Sequence, residues 1–195
     1  MNNRIQELNA QIRALEKELR EEIQRIRIQT YEIRERGVRF RDEVLQRHRS
    51  QMERLFTYLR HARLKHVLTA PLIWLCLVPA LLLDAVVSLY QAICFPVYGI
   101  PRVKRGDYIL IDRHYLAYLN LIEKLNCLYC SYFNGLIAYV GEVAGRTEQY
   151  WCPIKHARQL KNMHSRYGKF LEFGDSDGYR AQHRELRRDF GDLES

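Results

Sequence analysis

Between Lys65 and Arg102 the only side chain with a formal charge at neutral pH is Asp84. The apolar run extends from Val67 to Pro101 and includes Pro71-Leu-Ile-Trp-Leu-Cys-Leu-Val-Pro79-Ala-Leu-Leu-Leu-Asp84. A helix needs about 20 apolar residues to cross the hydrocarbon core, so the run predicts insertion into a bilayer. At about 1.5 Å per residue it is too long for one straight crossing and too short for two.

Two geometries fit that length. In one, Pro79 kinks a single tilted span. In the other, the chain enters near Pro71, turns at Pro79 and leaves between Pro96 and Pro101 on the face it came from. Arg60, Arg63 and Lys65 precede the run, and Arg102, Lys104 and Arg105 follow it. Positive charge is retained on the cytoplasmic side, so this symmetry favours the helical hairpin. Asp84 then falls near the interface, as a helix cap after the turn rather than as a proton or ion site.

The flanks are both basic. Up to His66 there are 16 Lys or Arg against 10 Asp or Glu, and from Gly99 onward 15 against 12. An anionic lipid surface accounts for this balance. Nucleic acid is disfavoured as a partner, because Arg and Glu interleave along the first segment in a mixed solvated face. No apolar stretch follows Met1 directly, so no signal peptide is expected and the arm is placed in the cytoplasm.

Residues 1–66 are expected to form a charged helical arm. Ile5, Ile12, Leu19, Ile26, Ile33 and Phe40 repeat every seven residues, with Leu8 and Leu15 at the paired position. This is a coiled-coil seam, and Ile opposite Leu favours a parallel dimer or a helical protein partner through residues 5–40. The paired position becomes Glu22, Gln29 and Arg36, so the seam weakens toward Gly37. A helix is expected to resume over Val38 to His66, carrying Val44, Leu45, Met52, Leu55, Phe56 and Leu59.

Residues 102–173 read as a small helical module. Asp107 to Arg113 suits a short strand or the start of a helix, Tyr115 to Cys130 a helix, and Asn134 to about Tyr150 a second helix. Of five cysteines, Cys76 and Cys94 lie in the apolar run as small hydrophobes. Cys127, Cys130, Cys152 and His156 remain, spaced Cys-x2-Cys and Cys-x3-His. Three thiolates and an imidazole suit tetrahedral zinc, and the same set suits an iron-sulfur cluster.

The pattern departs from zinc knuckles, since no Gly follows Cys130 and Pro153 splits the second pair. Packed, unliganded cysteines are the alternative, with redox thiols behind them. Ser131 after the Cys-x2-Cys disfavours covalent haem, and the lack of a βαβ pattern disfavours a thioredoxin-like dithiol. Glu123, Glu142, Glu148 and His164 are reserve ligands. Residues 174–195 are expected to be a polar tail with one surface helix and a frayed end.

The stretches Leu119 to Cys130, Asn134 to Tyr139, Arg146 to His156 and Phe173 to Arg180 resemble a bacterial membrane-associated family with CxxC and WCPxKH motifs. The resemblance runs from about Pro71 onward and is sharpest over Trp151 to His156. It implies a bacterial source, hence an inner membrane with arm and module both cytoplasmic, and carries no activity.

The expectation is therefore a mainly α-helical protein: a coiled-coil arm, a Pro-kinked membrane hairpin or span at 67–101, and a Cys/His module. Its expected role is that of a membrane-anchored metal-binding scaffold or sensor. A membrane oxidoreductase with an iron centre and a metal-free assembly factor are the alternatives. No phosphate-binding glycine loop, nucleophile elbow or HExxH is present, which disfavours an ordinary hydrolase or kinase.

Overall fold

The computed structural model describes residues 3–34, 37–53, 57, 60 and 64–193. Six helices and one two-stranded sheet carry the argument: α1 (Asn3–Thr30), β1 (Tyr31–Arg34), β2 (Gly37–Phe40), α2 (Asp42–Ser50), α3 (Leu64–Leu75), α4 (Leu77–Tyr98), α5 (Leu121–Trp151) and α6 (Ser176–Leu186). Short 3-10 turns lie at Arg105–Asp107, Arg113–Tyr115, Tyr167–Lys169 and Gly191–Leu193. The chain forms two compact units, one from Met1–His61 with Asp112–Leu125, the other from Ala62–Ile111 with Asn126–Ser195.

In the first unit, α1 keeps the expected helix but ends at Thr30. The heptad does not continue through Ile33 and Phe40, which instead lie in an antiparallel hairpin pairing Tyr31 with Phe40 and Ile33 with Val38. Tyr31-Glu-Ile33 and Val38-Arg-Phe40 alternate with period two and are rich in aromatic and β-branched residues, which suits a pleated pair. The cross-strand rings of Tyr31 and Phe40 lie 5.6 Å apart between centroids.

From Phe40 a chain of ring contacts runs to His48 on α2 at 5.0 Å and on to Tyr118 at 4.9 Å. Gly37 has φ 150°, and the Tyr115 ring fills the space that a Cβ there would need. Of the helix expected over Val38 to His66, Val38–Phe40 lie in β2, Asp42–Ser50 form α2 and Leu64–His66 open α3. Leu55, Phe56 and Leu59 lie outside the described residues.

In the second unit the apolar run is a bent rod rather than a hairpin. The helical segment from Lys65 to Tyr98 is long and apolar enough to cross a membrane. Its bend falls at Cys76, whose N–H bonds to Ile73 O while Ala80 N–H bonds to Cys76 O. Pro79 explains the position, because its ring clashes with the carbonyl four residues earlier, at Leu75. The bend deflects the helix without reversing it, so the expected turn at Pro79 gives way to a kink.

Behind the rod, contacts climb α4 and α5 together: Trp74 meets Tyr129, Asp84 meets Tyr132, Ser88 meets Tyr139, and Tyr98 stacks on Tyr150. The two helices therefore run in the same direction. Pro101 to Ile111 returns between them as non-repetitive chain with one 3-10 turn, neither strand nor α-helix. Phe95, Ile100, Val103, Leu136, Tyr139 and Val143 form the core, and Phe190 from the tail joins them.

The two helices expected at Tyr115–Cys130 and Asn134–Tyr150 are one, α5. It starts at Leu121 because Asn120 Oδ1 accepts from Glu123 N–H while Glu123 Oε2 accepts from Asn120 N–H, a reciprocal cap. It continues past Asn134, whose amide bonds back to Cys130 O. Gly135 lets the loop approach: a Cβ there would lie 2.6 Å from Tyr108 O and 2.8 Å from Ile109 Cα. The tail carries the expected surface helix, α6, capped by Asp175, and packs through Phe190; residues 194–195 lie outside the described residues.

Candidate functional site

The inner face of α4 carries its only polar row. Asp84, Ser88 and Gln91 recur at spacings of four and three, so they share one side of the helix. Asp84 accepts from Arg105 Nε at 3.1 Å and Nη2 at 2.6 Å, from Tyr132 Oη at 2.9 Å and from Ser88 Oγ at 3.3 Å. It sits in mid-helix, so the expectation of a capping carboxylate is replaced by a forked ion pair to the returning loop.

Gln91 is buried, donating to Val103 O at 3.3 Å and accepting from Val103 N–H at 3.0 Å. Its amide also donates to Tyr139 Oη. Arg102 Nη2 reaches Ala92 O at 2.8 Å. The loop from Pro101 to Ile111 is thus pinned along α4 by at least three separate contacts. This row was legible as the one polar spacing in an apolar helix, and the sequence reading missed it by treating Asp84 alone.

The outer face is the opposite. From Val67 to Val97 fourteen large apolar side chains are exposed, Leu68, Leu82 and Val97 among the most exposed. Only 6 % of the most apolar stretch is buried within the chain. Leaving such side chains in water costs about 1 kcal/mol or more each. Fourteen together match the whole net stability of a typical domain, about 5–15 kcal/mol. A face like this calls for a partner.

The four proposed metal ligands are placed far apart. Cys127 and Cys130 lie one turn apart on α5, half-buried and exposed, and Cys152 follows the end of that same helix, exposed. Helical bonding reaches Cys152, whose N–H donates to Glu148 O at 2.7 Å. The 22 residues from Cys130 to Cys152 then span about 33 Å at about 1.5 Å per residue. Zinc–sulfur bonds are about 2.3 Å, so one ion cannot take all four ligands from one chain.

His156 is exposed, its backbone N–H donating to Tyr167 Oη at 2.8 Å. Among the described residues no group of three or more His, Cys, Asp or Glu is arranged to hold a metal. The sequence reading was misled by spacing that is compatible with zinc only if the chain doubles back between Cys130 and Cys152.

The reserve ligands are occupied by protein partners. Glu142 accepts from Arg146 Nε at 2.8 Å and from Ser165 Oγ at 2.6 Å. His164 Nε2 faces Glu148 Oε2 at 2.9 Å, and Nδ1 accepts from Arg166 N–H at 3.2 Å, which places a neutral ring's proton on Nε2. Glu123 is spent in the α5 cap. These contacts tie α5 to the segment 164–166, and Arg146 Nη1 also holds Pro101 O at 2.8 Å.

Arg166, almost fully buried, completes the lock. It donates to Gln149 Oε1 at 2.7 Å and forks onto Asp192 at 2.6 and 2.9 Å. The Arg166 guanidinium holds the Asp192 carboxyl well below the usual range, against a smaller opposing effect of burial and with help from Lys169. Among the described residues, these polar contacts of the second unit bind it to itself, while the apolar side chains of α3 and of the outer side of α4 face outward. No protein-family model, curated protein or solved structure matches the chain, so its reading rests on this geometry.

Proposed function

We propose that this chain is a membrane-attached helical scaffold, anchored through the outer face of α3 and α4. The observation that carries the reading is the exposure of fourteen large apolar side chains along one helical segment, all round α3 and on the side of α4 turned away from the loop. Lys65, Arg102, Lys104 and Arg105 border that segment and suit anionic headgroups. The expected zinc or iron-sulfur centre is not part of this proposal, because α5 separates its ligands.

The test is flotation of the full chain with sealed vesicles of phosphatidylethanolamine and phosphatidylglycerol. The protein is expected to rise with the lipid and to stay with it through an alkaline carbonate wash. Protein left at the bottom of the gradient would end the proposal.

The arm supplies the scaffold's second contact. Ile12, Leu15, Leu19 and Ile26 are all exposed on α1 and follow coiled-coil spacing. Pairing of two arms would bury that row. Ile12→Cys in the membrane-bound chain is expected to form an intermolecular disulfide under mild oxidation, and Lys17→Cys, off the row, is not; equal cross-linking at both would remove the pairing.

A further inference from the structure

We infer that the apolar rod enters one leaflet of the bilayer and does not cross it, so that the arm and the second unit's polar elements remain on one side. The inference rests on the membrane attachment proposed above and goes further, fixing its geometry.

The argument is one of levels along the helix. The returning loop lies beside α4, with Arg105 on Asp84, Val103 on Gln91 and Arg102 on Ala92. Its end reaches the N-terminal turns of α4, where Ile111 lines an apolar groove with Leu77, Leu81 and Leu128. This loop is non-helical, and Leu110 and Ile111 are exposed.

Irregular backbone facing lipid does not occur in the hydrocarbon region, because its N–H and C=O groups find no partners there. Guanidinium and ammonium groups at Arg102, Lys104 and Arg105 are excluded from mid-bilayer for the same reason of lost solvation. Every level of the rod from Leu77 onward therefore has polar or irregular chain beside it. What remains clear of the loop is Leu64 to Ile73, since Trp74 lines the same groove as Ile111.

Those ten residues extend about 15 Å at about 1.5 Å per residue. The hydrocarbon core is about 30 Å thick. A single leaflet is half that, and the bent rod satisfies it: α3 dips into the acyl region, and α4 lies along the interface with Val86, Leu89, Ile93 and Val97 downward and the loop upward. Anionic headgroups meet the loop's basic side chains, which gives the lipid surface precedence over a second copy of this equally basic chain as the occupant.

The experiment labels cysteines in sealed vesicles prepared in both orientations from cells expressing the full chain. Cys152 is kept as the only cysteine, with Ser at 76, 94, 127 and 130, and reports on the second unit. In a cysteine-free chain Ser50→Cys reports on the arm. With a membrane-impermeant maleimide, both sites are expected to label in the same preparation and to need detergent in the other. Labelling of one site from each face overturns the inference while leaving attachment intact.

Loss of the chain from the carbonate-washed vesicles would instead overturn attachment, and the inference with it. If the cysteine substitutions reduce expression, trypsin on the unmodified chain reads the same point. Cleavage of the arm and of the Arg187-Arg188 tail from one face supports one-leaflet insertion, and cleavage from opposite faces overturns it.

Discussion

Gly135 and Gly141 lie on the same helix, six residues apart, and the structure assigns opposite signs to their replacement by alanine. In a helix interior Gly→Ala gains about 1 kcal/mol from reduced backbone entropy in the unfolded chain. At Gly141 nothing lies within 4 Å of the new methyl, so the gain is kept. At Gly135 the methyl would meet Tyr108 O at 2.6 Å and Ile109 Cα at 2.8 Å, both backbone atoms and both closer than the 3.0 Å that real Cβ contacts respect.

Backbone cannot swing aside as a side-chain tip does, so the loop must be displaced as a segment. Overpacking of this kind costs about 1–3 kcal/mol, which exceeds the helix gain. The helix gain is common to both variants, so they should differ by the overpacking cost, about 1–3 kcal/mol, or roughly 4–12 °C in unfolding midpoint for a unit of this size. Thermal unfolding followed by far-ultraviolet circular dichroism in lipid or mild detergent measures it, with both variants against the parent. Equal midpoints, or Gly135→Ala the more stable, would refute the close packing of loop on α5. That result would also remove the physical basis for keeping α4 at the interface.

Two further outcomes follow from the same contacts. Asp192 has a depressed carboxyl in the folded chain, so its contribution is present above the unfolded value of about 3.9 and fades as pH falls through and below that value. The midpoint gap between the parent and Asp192→Asn should be level from pH 5 to 8 and close on acidification below about pH 4; a gap independent of pH contradicts the pairing with Arg166. Chelation by EDTA under reducing conditions should leave both helix content and midpoint unchanged, measured by the same dichroism, since Cys127, Cys130, Cys152 and His156 do not converge in one chain. A large drop on chelation would show a structural metal held in some other way, such as between chains.

The sequence revealed the helical class and the apolar segment directly, because an uncharged run of this length has few physical solutions. It revealed α1 up to Thr30 for the same reason: a seven-residue period is strong over four turns. The heptad arithmetic then ran on into Ile33 and Phe40, where a period of two competes with it. The balance is tipped by contacts with Tyr115 and Tyr118, more than 70 positions away, that no local pattern contains.

The candidate metal site rests on a different link. Cys-x2-Cys and Cys-x3-His constrain each pair locally, and convergence depends on a turn between them. The expected break lies between Cys130 and Asn134, where a second helix is predicted to start. The Asn134 side chain bonds within the helix and Gly135 serves as a place of close approach, so both residues that signal a break are used to continue α5. The Asn120-x-x-Glu123 cap, by contrast, was readable and fixes the true start.

Gln91 gives the packing its uniqueness. Its primary amide presents its oxygen and one of its two N–H groups to Val103, which meets them with its own N–H and C=O, while the amide nitrogen also donates to Tyr139 Oη. The side chain thus imitates a neighbouring β-strand for one peptide unit, in a place where no strand exists. Apolar surfaces alone would allow the loop to slide along α4, since one leucine contact is much like the next. A slip of one residue, about 3.3 Å, turns the paired peptide away and costs the buried amide both of its bonds to Val103. Gln91 therefore acts as an index mark: it selects one alignment from several that hydrophobic burial would score alike.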